Sequence, residues 1–521
     1  MPLPTHGFRG VALGLAAVCM LPAVPGAPGR PALAVLVVVD QFRGDYLDRF
    51  GREFSGGLAR VLRHGVVFTD GHQDHAITET ALGHATVLSG RSPAATGIVS
   101  NRRGVGDSSV TLVGAPGPGA SPRRFQGSAL LDWLRVRDPA VRALAVSRKD
   151  RGAILPIGRG KADVYWYAAG RFTTSTWYRA TLPDWLEAWN ARRGAAKLAG
   201  RAWTTLRAVS TYPEPDTVPY ENGGRDVAFP HRLPADTAAT ERAIEITPWV
   251  DSLTLDVALE GVRSLRLGRR NGTDLLVVSL SATDAIGHRW GPDSREVHDQ
   301  LLRLDAMLGA FLDSLNELVP RERTVVALTG DHGVQSFPEH GTGGRTSLTP
   351  MLRDLRAKTG PAIDIEEASG AVLADTTALR RRGLDPDSLA TAMAARVARL
   401  QGVQAVFTPR TLASAPGTDE QSRLWRKTIP RAQPWLVAAS LAPGWIWSDG
   451  PGSADHGTTA YDDTHVALAF LVPGAAPARV TRRVITEDIG PTLAALAGVR
   501  PTEPVTGQVL REVTATRSAA R

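Results

Sequence analysis

The chain is predicted to be an α/β protein, with a mostly parallel central sheet sandwiched by helices. Three observations carry this reading: near-continuous Val/Leu runs recur along the 521 residues, stretches with helical spacing lie between them, and the runs lead into acidic or imidazole side chains. Strands buried on both faces need unbroken apolar character, as strands in helix-covered parallel sheets do. Their alternation with helices indicates a layered α/β architecture.

Taken in order, the first run is "ALAVLVVVD", which ends on Asp40. Residues 75–90, "HAITETALGHATVLSG", set Thr78 and Thr80 ahead of a helical stretch. A helix start offers unpaired N–H groups and positive potential, so a hydroxyl there is either a cap or a nucleophile beside a bound phosphate. Residues 102–124 are rich in Gly, Pro and Ser and read as a surface loop or hairpin. "ALAVSRKDRGAILP" is a further short apolar run, followed by Lys149 and Arg151. Residues 165–250 are rich in Trp, Tyr and Pro and separate strands that should be neighbours, so they read as an insertion roofing the site. Its aromatics, Trp166, Tyr167, Phe172 and Trp177, read as packed core in preference to a platform for a leaving group.

"DLLVVSLSATD" leads to Asp284, with His288 four residues on in a turn. Residues 294–318 carry apolar side chains at three and four spacing behind Asp293 or Ser294, a helix with its start signal. "RTVVALTGDHG" delivers Asp331 and His332 between glycines, and "THVALAFLVPG" follows a polar loop holding His456. No internal repeat is visible.

Composition bounds the alternatives. With 43% hydrophobic residues the chain can bury a large core, which excludes disorder as its dominant state. The formal charge of +8 is spread over single and paired arginines, with no basic block of the kind that marks a nucleic-acid partner. Residues 1–27 have one positive charge, Arg9, then an apolar run broken by Pro22, then small residues, the order of a secretory leader. They are too short and interrupted for a stable membrane span. Cys19 is the only cysteine, so a processed chain, residues 28–521, would hold no thiol. The expected location is secreted, in the periplasm.

Asp40, Asp284, Asp331, His288, His332 and His456 together offer three carboxylates and three imidazoles at one edge of the sheet. Chemistry in such sheets collects beyond the carboxyl ends of the strands. That inventory suits two zinc ions, each with an open position. Two cations about 4 Å apart would clamp the attacking and leaving oxygens of an in-line displacement. Thr80 then becomes a candidate nucleophile, and Asn101, Lys149 and Arg151 candidates for the oxygens of a phosphoryl group.

The segments "VVVDQFRGDYL", "TALGHATVLSGRSPAATGIVSN", "SRKDRGAILPIG", "GRFTTSTWY", "LSATDAIGHRWGP", "TGDHG", "HGTTAYDDTHVALAFLVPG" and "TEDIGPTLAALAGV" occur in order over nearly the whole chain. In them the chain resembles the alkaline phosphatase superfamily, and within it the bacterial phosphate-irrepressible enzymes with a threonine nucleophile. The resemblance implies a three-layer sandwich. It also implies Asp40, Thr80, Asp331 and His332 around one zinc, Asp284, His288 and His456 around the other, and Asn101, Lys149 and Arg151 on the phosphoryl oxygens. Thr80 is preferred to Thr78 because the family's nucleophile precedes the x-x-G-H turn, here "TALGH". Two departures stand out: Leu82 where the family often has Pro, and an acidic Glu79 beside the nucleophile, expected to face away from substrate. His84 and His465 are expected to pack behind the site, and His72, His75, His231 and His340 to be core or surface histidines.

The resemblance implies a zinc alkaline phosphatase hydrolysing small-molecule phosphate monoesters through a phosphothreonine. The alternatives are a phosphodiesterase of the same superfamily and a non-catalytic zinc- or phosphate-binding protein. A sulfatase is disfavoured, since no Cys or Ser followed by x-Pro-x-Arg stands at the nucleophile. The sequence carries no signal of oligomeric state.

Overall fold

The computed structural model describes residues 29–518; the expected leader and Cys19 lie outside the described residues. Ten strands form a central mixed, mostly parallel sheet. Its order is Ala478–Val480, Val66–His72, His465–Leu471, Thr324–Gly330, Leu33–Val39, Asp274–Leu280, Ala143–Ser147, Asp163–Ala168 and Arg171–Thr173, with Val484–Ile485 also paired to Val66–His72. The middle of the sheet is parallel: Leu33–Val39 pairs with Asp274–Leu280 on one side and Thr324–Gly330 on the other, and Ala143–Ser147 continues the run. Every residue of these four strands is buried, as their unbroken Val/Leu character requires. Two large apolar clusters cover the two faces of the sheet, so the architecture is three-layered. The Arg295–Leu318 helix packs on one face, with the Ser294 hydroxyl accepting from Val297 N–H at 3.1 Å as its cap.

Several elements differ from expectation. The run at 465–471 is antiparallel to both of its neighbours. Its six leading residues are buried, so continuous apolarity reports coverage of both faces and not strand direction. That direction brings the start of the strand, and the loop bearing His456, to the edge where the parallel strands end. Asp284 and His288 lie one turn apart on a helix, Ala282–Trp290, instead of in a turn. Residues 102–124, by contrast, contain a hairpin of Gly106–Thr111 and Pro118–Ala120, in line with the loop-or-hairpin expectation.

Within 165–250, Trp166 and Tyr167 belong to the last strand but one of the large sheet and Phe172 to its edge strand, and all three are buried. Phe172 packs edge-on against Trp189, with ring centroids 5.4 Å apart. The sequence shows no sign of a second sheet, yet Ile365–Ala368, Ala371–Ala374, Trp435–Leu441 and Val403–Phe407 form four antiparallel strands. Helices Thr349–Thr359 and Pro386–Val397 help to enclose its apolar core. Among the described residues, no helix is long and apolar enough to cross a membrane.

Candidate active site

The strands Leu33–Val39 and Thr324–Gly330 run directly into Asp40 and Asp331–His332, and Asp274–Leu280 leads into the helix carrying Asp284. All three elements are neighbours in the sheet, so these residues meet at one edge. The helix Thr80–Val87 crosses this edge so closely that a Cβ on Gly83 would lie 2.1 Å from the Asp331 carbonyl oxygen. Glycine at that position allows the contact, which sets the first turn of the helix beside Asp331.

Three overlapping ligand-type groups result, Asp40 with Asp331 and His332, Asp284 with His332 and His456, and His288 with Asp455 and His456, and they fall into two sets around the sequence-predicted residues. Asp40, Asp331 and His332 form one: His332 Nε2 lies 3.3 Å from Asp40 Oδ1 and 3.5 Å from Asp331 Oδ2, and their ligating atoms cluster within 4.8 Å. Thr80 Oγ1 lies 3.4 Å from the same Nε2. Asp284, His288 and His456 form the other, with Asp284 Oδ1 at 3.2 Å from His288 Nε2 and 3.7 Å from His456 Nε2, and the two imidazole nitrogens 3.2 Å apart. The His332 and His456 rings stack at 3.7 Å between centroids and link the groups.

The donor chemistry fits cations. In each of the three histidines Nδ1 faces a backbone carbonyl: Gly333 for His332 at 3.0 Å, Ala454 for His288 at 2.9 Å, and Thr78 for His456 at 2.6 Å. A carbonyl only accepts, so the proton sits on Nδ1 in the neutral ring and the Nε2 lone pair points into the cluster, the arrangement of metal-binding histidines. Both Asp40 oxygens and Asp331 Oδ2 are buried without a hydrogen-bond partner and have only charge contacts with Lys149, His84 and His332. Lys149 meets part of that charge, and the lone pairs left on Asp40 and Asp331 suit a further cation.

Without an ion, protons take the place of the missing positive charge. Burial opposes charge on His332 and His288, but the carboxylates of Asp331 and Asp284 outweigh it and raise both imidazoles to about 9. Asp284 and Asp331 lie below the usual carboxylate range: burial pushes each up, while Lys149 and the imidazoles pull it further down. His456 is lowered by burial and by the neighbouring His332.

Lys149 enters the centre of this arrangement. Its Nζ lies 2.6 Å from Asp40 Oδ2, 2.6 Å from Asp284 Oδ2 and 3.2 Å from Thr80 Oγ1. Arg151, in the short helix Asp150–Ile154, is partly buried, and its Nε has no hydrogen-bond partner. With Lys149 and Trp166 it lines a cavity of about 230 Å³. Asn101 is fixed by its Oδ1, which accepts from Ala81 N–H at 2.9 Å, the residue after Thr80. The two threonines are now distinct. Thr78 spends its hydroxyl on the Thr458 carbonyl (2.9 Å) and the Gly457 N–H (3.1 Å), whereas Thr80 makes no capping bond and turns Oγ1 to Lys149 and His332.

The remaining histidines take supporting places. His84 Nδ1 meets the Thr80 carbonyl at 2.9 Å and its Nε2 meets Ser279 Oγ at 2.9 Å, directly behind the nucleophile candidate. His465 Nε2 lies 3.0 Å from the Thr69 carbonyl. His72, His75 and His231 are buried, and His340 is exposed. Gln41 escaped sequence reasoning. Its backbone N–H donates to Asp331 Oδ1 at 3.1 Å and its Nε2 to Asp284 Oδ1 at 3.3 Å, tying the two groups together. It does so from a left-handed backbone, φ 65°, which a non-glycine residue rarely adopts. Its position next to Asp40 was the only available signal.

Residues 34–462 match the family model described as type I phosphodiesterase / nucleotide pyrophosphatase. The chain is 29% identical to the alkaline phosphatase PhoV of Synechococcus elongatus over 94% of each chain. It is 30% identical to the alkaline phosphatase PhoK of a Sphingomonas species, over 92% of this chain and 91% of that one. The crystal structure of the alkaline phosphatase PafA superposes with a TM-score of 0.85 at 27% identity, covering 94% of this chain and all of that one. The chain belongs to the type I phosphodiesterase / nucleotide pyrophosphatase family, within the alkaline phosphatase superfamily.

Proposed function

We propose that the protein is a periplasmic alkaline phosphatase that hydrolyses phosphate monoesters with two zinc ions and a phosphothreonine intermediate on Thr80. The observation that carries this reading is Lys149 Nζ, held 3.2 Å from Thr80 Oγ1 between the two ligand groups. Asp40, Asp331 and His332, with Thr80, would hold one ion, and Asp284, His288 and His456 the other. When bound, zinc supplies Lewis acidity that makes an alcohol easier to ionise and stabilises a departing alkoxide. The periplasmic location rests on the leader-like order of residues 1–27.

In this mechanism Thr80 Oγ1 forms a bond to phosphorus as the bond from phosphorus to the ester oxygen breaks, and the alcohol leaves. Water then displaces Thr80 and releases inorganic phosphate. Lys149, Arg151 and the Asn101 side-chain amide bind the non-bridging oxygens, whose charge redistributes in the transition state. His84 orients the nucleophile through its carbonyl, and Gln41 keeps the two carboxylate groups in register.

A second reading, a phosphodiesterase, is favoured by the description of the family model. A diester has one anionic oxygen fewer, so the paired cations Lys149 and Arg151 favour monoesters. Turnover of an aryl phosphate against its methyl diester, alongside metal analysis of the purified protein, decides between them. A strong preference for the diester rejects the monoesterase reading. Phosphate binding with no turnover of either supports the non-catalytic alternative.

A further inference from the structure

Glu79 stands where a negative charge is least expected, beside the nucleophile candidate, yet its carboxylate is fully engaged away from Thr80. Its Oε2 accepts from Asn101 N–H at 2.7 Å and its Oε1 from the Ser369 hydroxyl at 2.8 Å. Asn101 in turn accepts from Ala81 N–H. Asn101 is thus pinned by the residue before Thr80 through its main chain and by the residue after Thr80 through its side chain. Because the Ala81 N–H can only donate, the Asn101 oxygen is fixed toward the helix and its NH₂ is left for another acceptor.

The second sheet completes this clamp. Ser369 lies in the turn between strands Ile365–Ala368 and Ala371–Ala374, in a left-handed conformation with φ 42°. Its hydroxyl is pressed against Gly457, where a Cβ would come within 2.4 Å of it. From the adjoining strand, Glu366 accepts from the Ser100 hydroxyl at 2.5 Å and pairs with Arg103 at 2.7 Å, gripping the loop on either side of Asn101.

We propose that Glu79 is a positioning residue for phosphoryl recognition: oriented by Ser369 of the second sheet, it fixes the Asn101 backbone so that the Asn101 amide faces the non-bridging oxygens of the substrate. This rests on the reading of Asn101 as a phosphoryl contact. It gives the acidic neighbour of Thr80 a purpose and makes the second sheet part of the substrate-binding apparatus.

The test is calorimetric titration of the zinc-loaded protein with inorganic phosphate, together with KM and kcat for an aryl phosphate. Asn101→Ala and Glu79→Ala are each expected to weaken phosphate binding about tenfold, the worth of one hydrogen bond to a charged group. The double variant should be little weaker than Asn101→Ala alone, because Glu79 acts through Asn101. Glu79→Gln, whose amide oxygen still accepts from Asn101 N–H, should stay within about threefold of the parent. Ser369→Ala, which leaves Glu79 in place, should give a smaller loss and covers the case in which Glu79→Ala does not fold. KM should rise in the same pattern with kcat changing less. If Asn101→Ala weakens binding but Glu79→Ala is neutral or simply additive with it, the positioning role is wrong while the phosphoryl reading stands. If Asn101→Ala leaves phosphate affinity unchanged, both fall.

Discussion

The ammonium of Lys149 donates a hydrogen bond to Oγ1 of Thr80 across 3.2 Å, and both side chains are buried almost completely. An ammonium is stable there because a carboxylate oxygen of Asp40 and one of Asp284 each lie 2.6 Å away. The same group therefore balances two buried carboxylates and touches the atom proposed to attack phosphorus.

Lys149→Met should expose that double duty. Without a bound ion, Asp40 and Asp284 lose their nearest cation, and breaking a buried pair by removing one partner costs about 3–5 kcal/mol. The loss is expected in urea unfolding of the chelator-treated protein and should shrink with zinc present. An equal loss in both states would show that the carboxylates do not ligate the ion.

Thr80→Ala should lower turnover of an aryl phosphate by at least about 10³-fold, since it removes the attacking oxygen and the neighbouring Thr78 hydroxyl is engaged elsewhere. Thr80→Ser should keep most of the activity and give a phosphoserine on mass analysis after acid quench. Thr78→Ala should act mainly on stability, by about 1 kcal/mol, because its hydroxyl is spent on Thr458 and Gly457. Full activity in Thr80→Ala would end the covalent mechanism.

The metal-stripped protein should lose stability as the pH rises. Against the opposition of burial, Asp331 and Asp284 hold His332 and His288 at about 9, whereas an unfolded imidazole titrates near 6.5. A value raised by folding gives stability that is complete below about pH 6.5 and disappears as the pH passes about 9. Asp251 and Asp463, raised to about 7 by burial, act in the same direction with or without zinc. The gap in melting temperature between zinc-loaded and stripped protein should therefore widen from pH 6.5 to 9 in scanning calorimetry. A constant or narrowing gap contradicts the assignment of these histidines as ligands.

Gly83→Ala should be far more damaging than an alanine in a helix usually is. Its Cβ would meet the Asp331 carbonyl at 2.1 Å and the Asp331 Cβ at 2.8 Å, forcing the Thr80–Val87 helix away from the sheet edge. Overpacking of this kind costs about 1–3 kcal/mol. Zinc retention and turnover should fall together with the melting temperature. Parent-like activity would mean that the close approach of this helix is not needed.

The parts of this site legible in the sequence were those announced by local pattern. Asp40 and Asp331 follow long apolar runs, and a residue at the end of a buried parallel strand has one place to go. Gln41 carried no such mark, because its role depends on Asp331 and Asp284 arriving from distant strands. The helix at 282–290 looked like a turn for a related reason. Its first N–H groups, those of Ser281 and Ala282, are satisfied by Asp251 at 2.8 and 3.0 Å, a partner thirty residues upstream that no local signal reveals. The second sheet leaves no such pattern, because Ile365–Ala368 is four residues long and contains two glutamates, one of them buried against Ser100 and Arg103.

The pairing of Leu33–Val39 with Asp274–Leu280 and Thr324–Gly330 also governs how the molecule comes into being. The strand that ends in Asp40 is synthesised early, yet both of its neighbours emerge only after more than two hundred further residues. Until then a stretch of seven apolar residues has no edge to join. Such non-local closure makes assembly slow and leaves a sticky segment open to aggregation. The proposed centre therefore cannot be assembled until the chain has been made past His456, since Asp284, Asp331, His332 and His456 all follow Asp40 by more than two hundred residues.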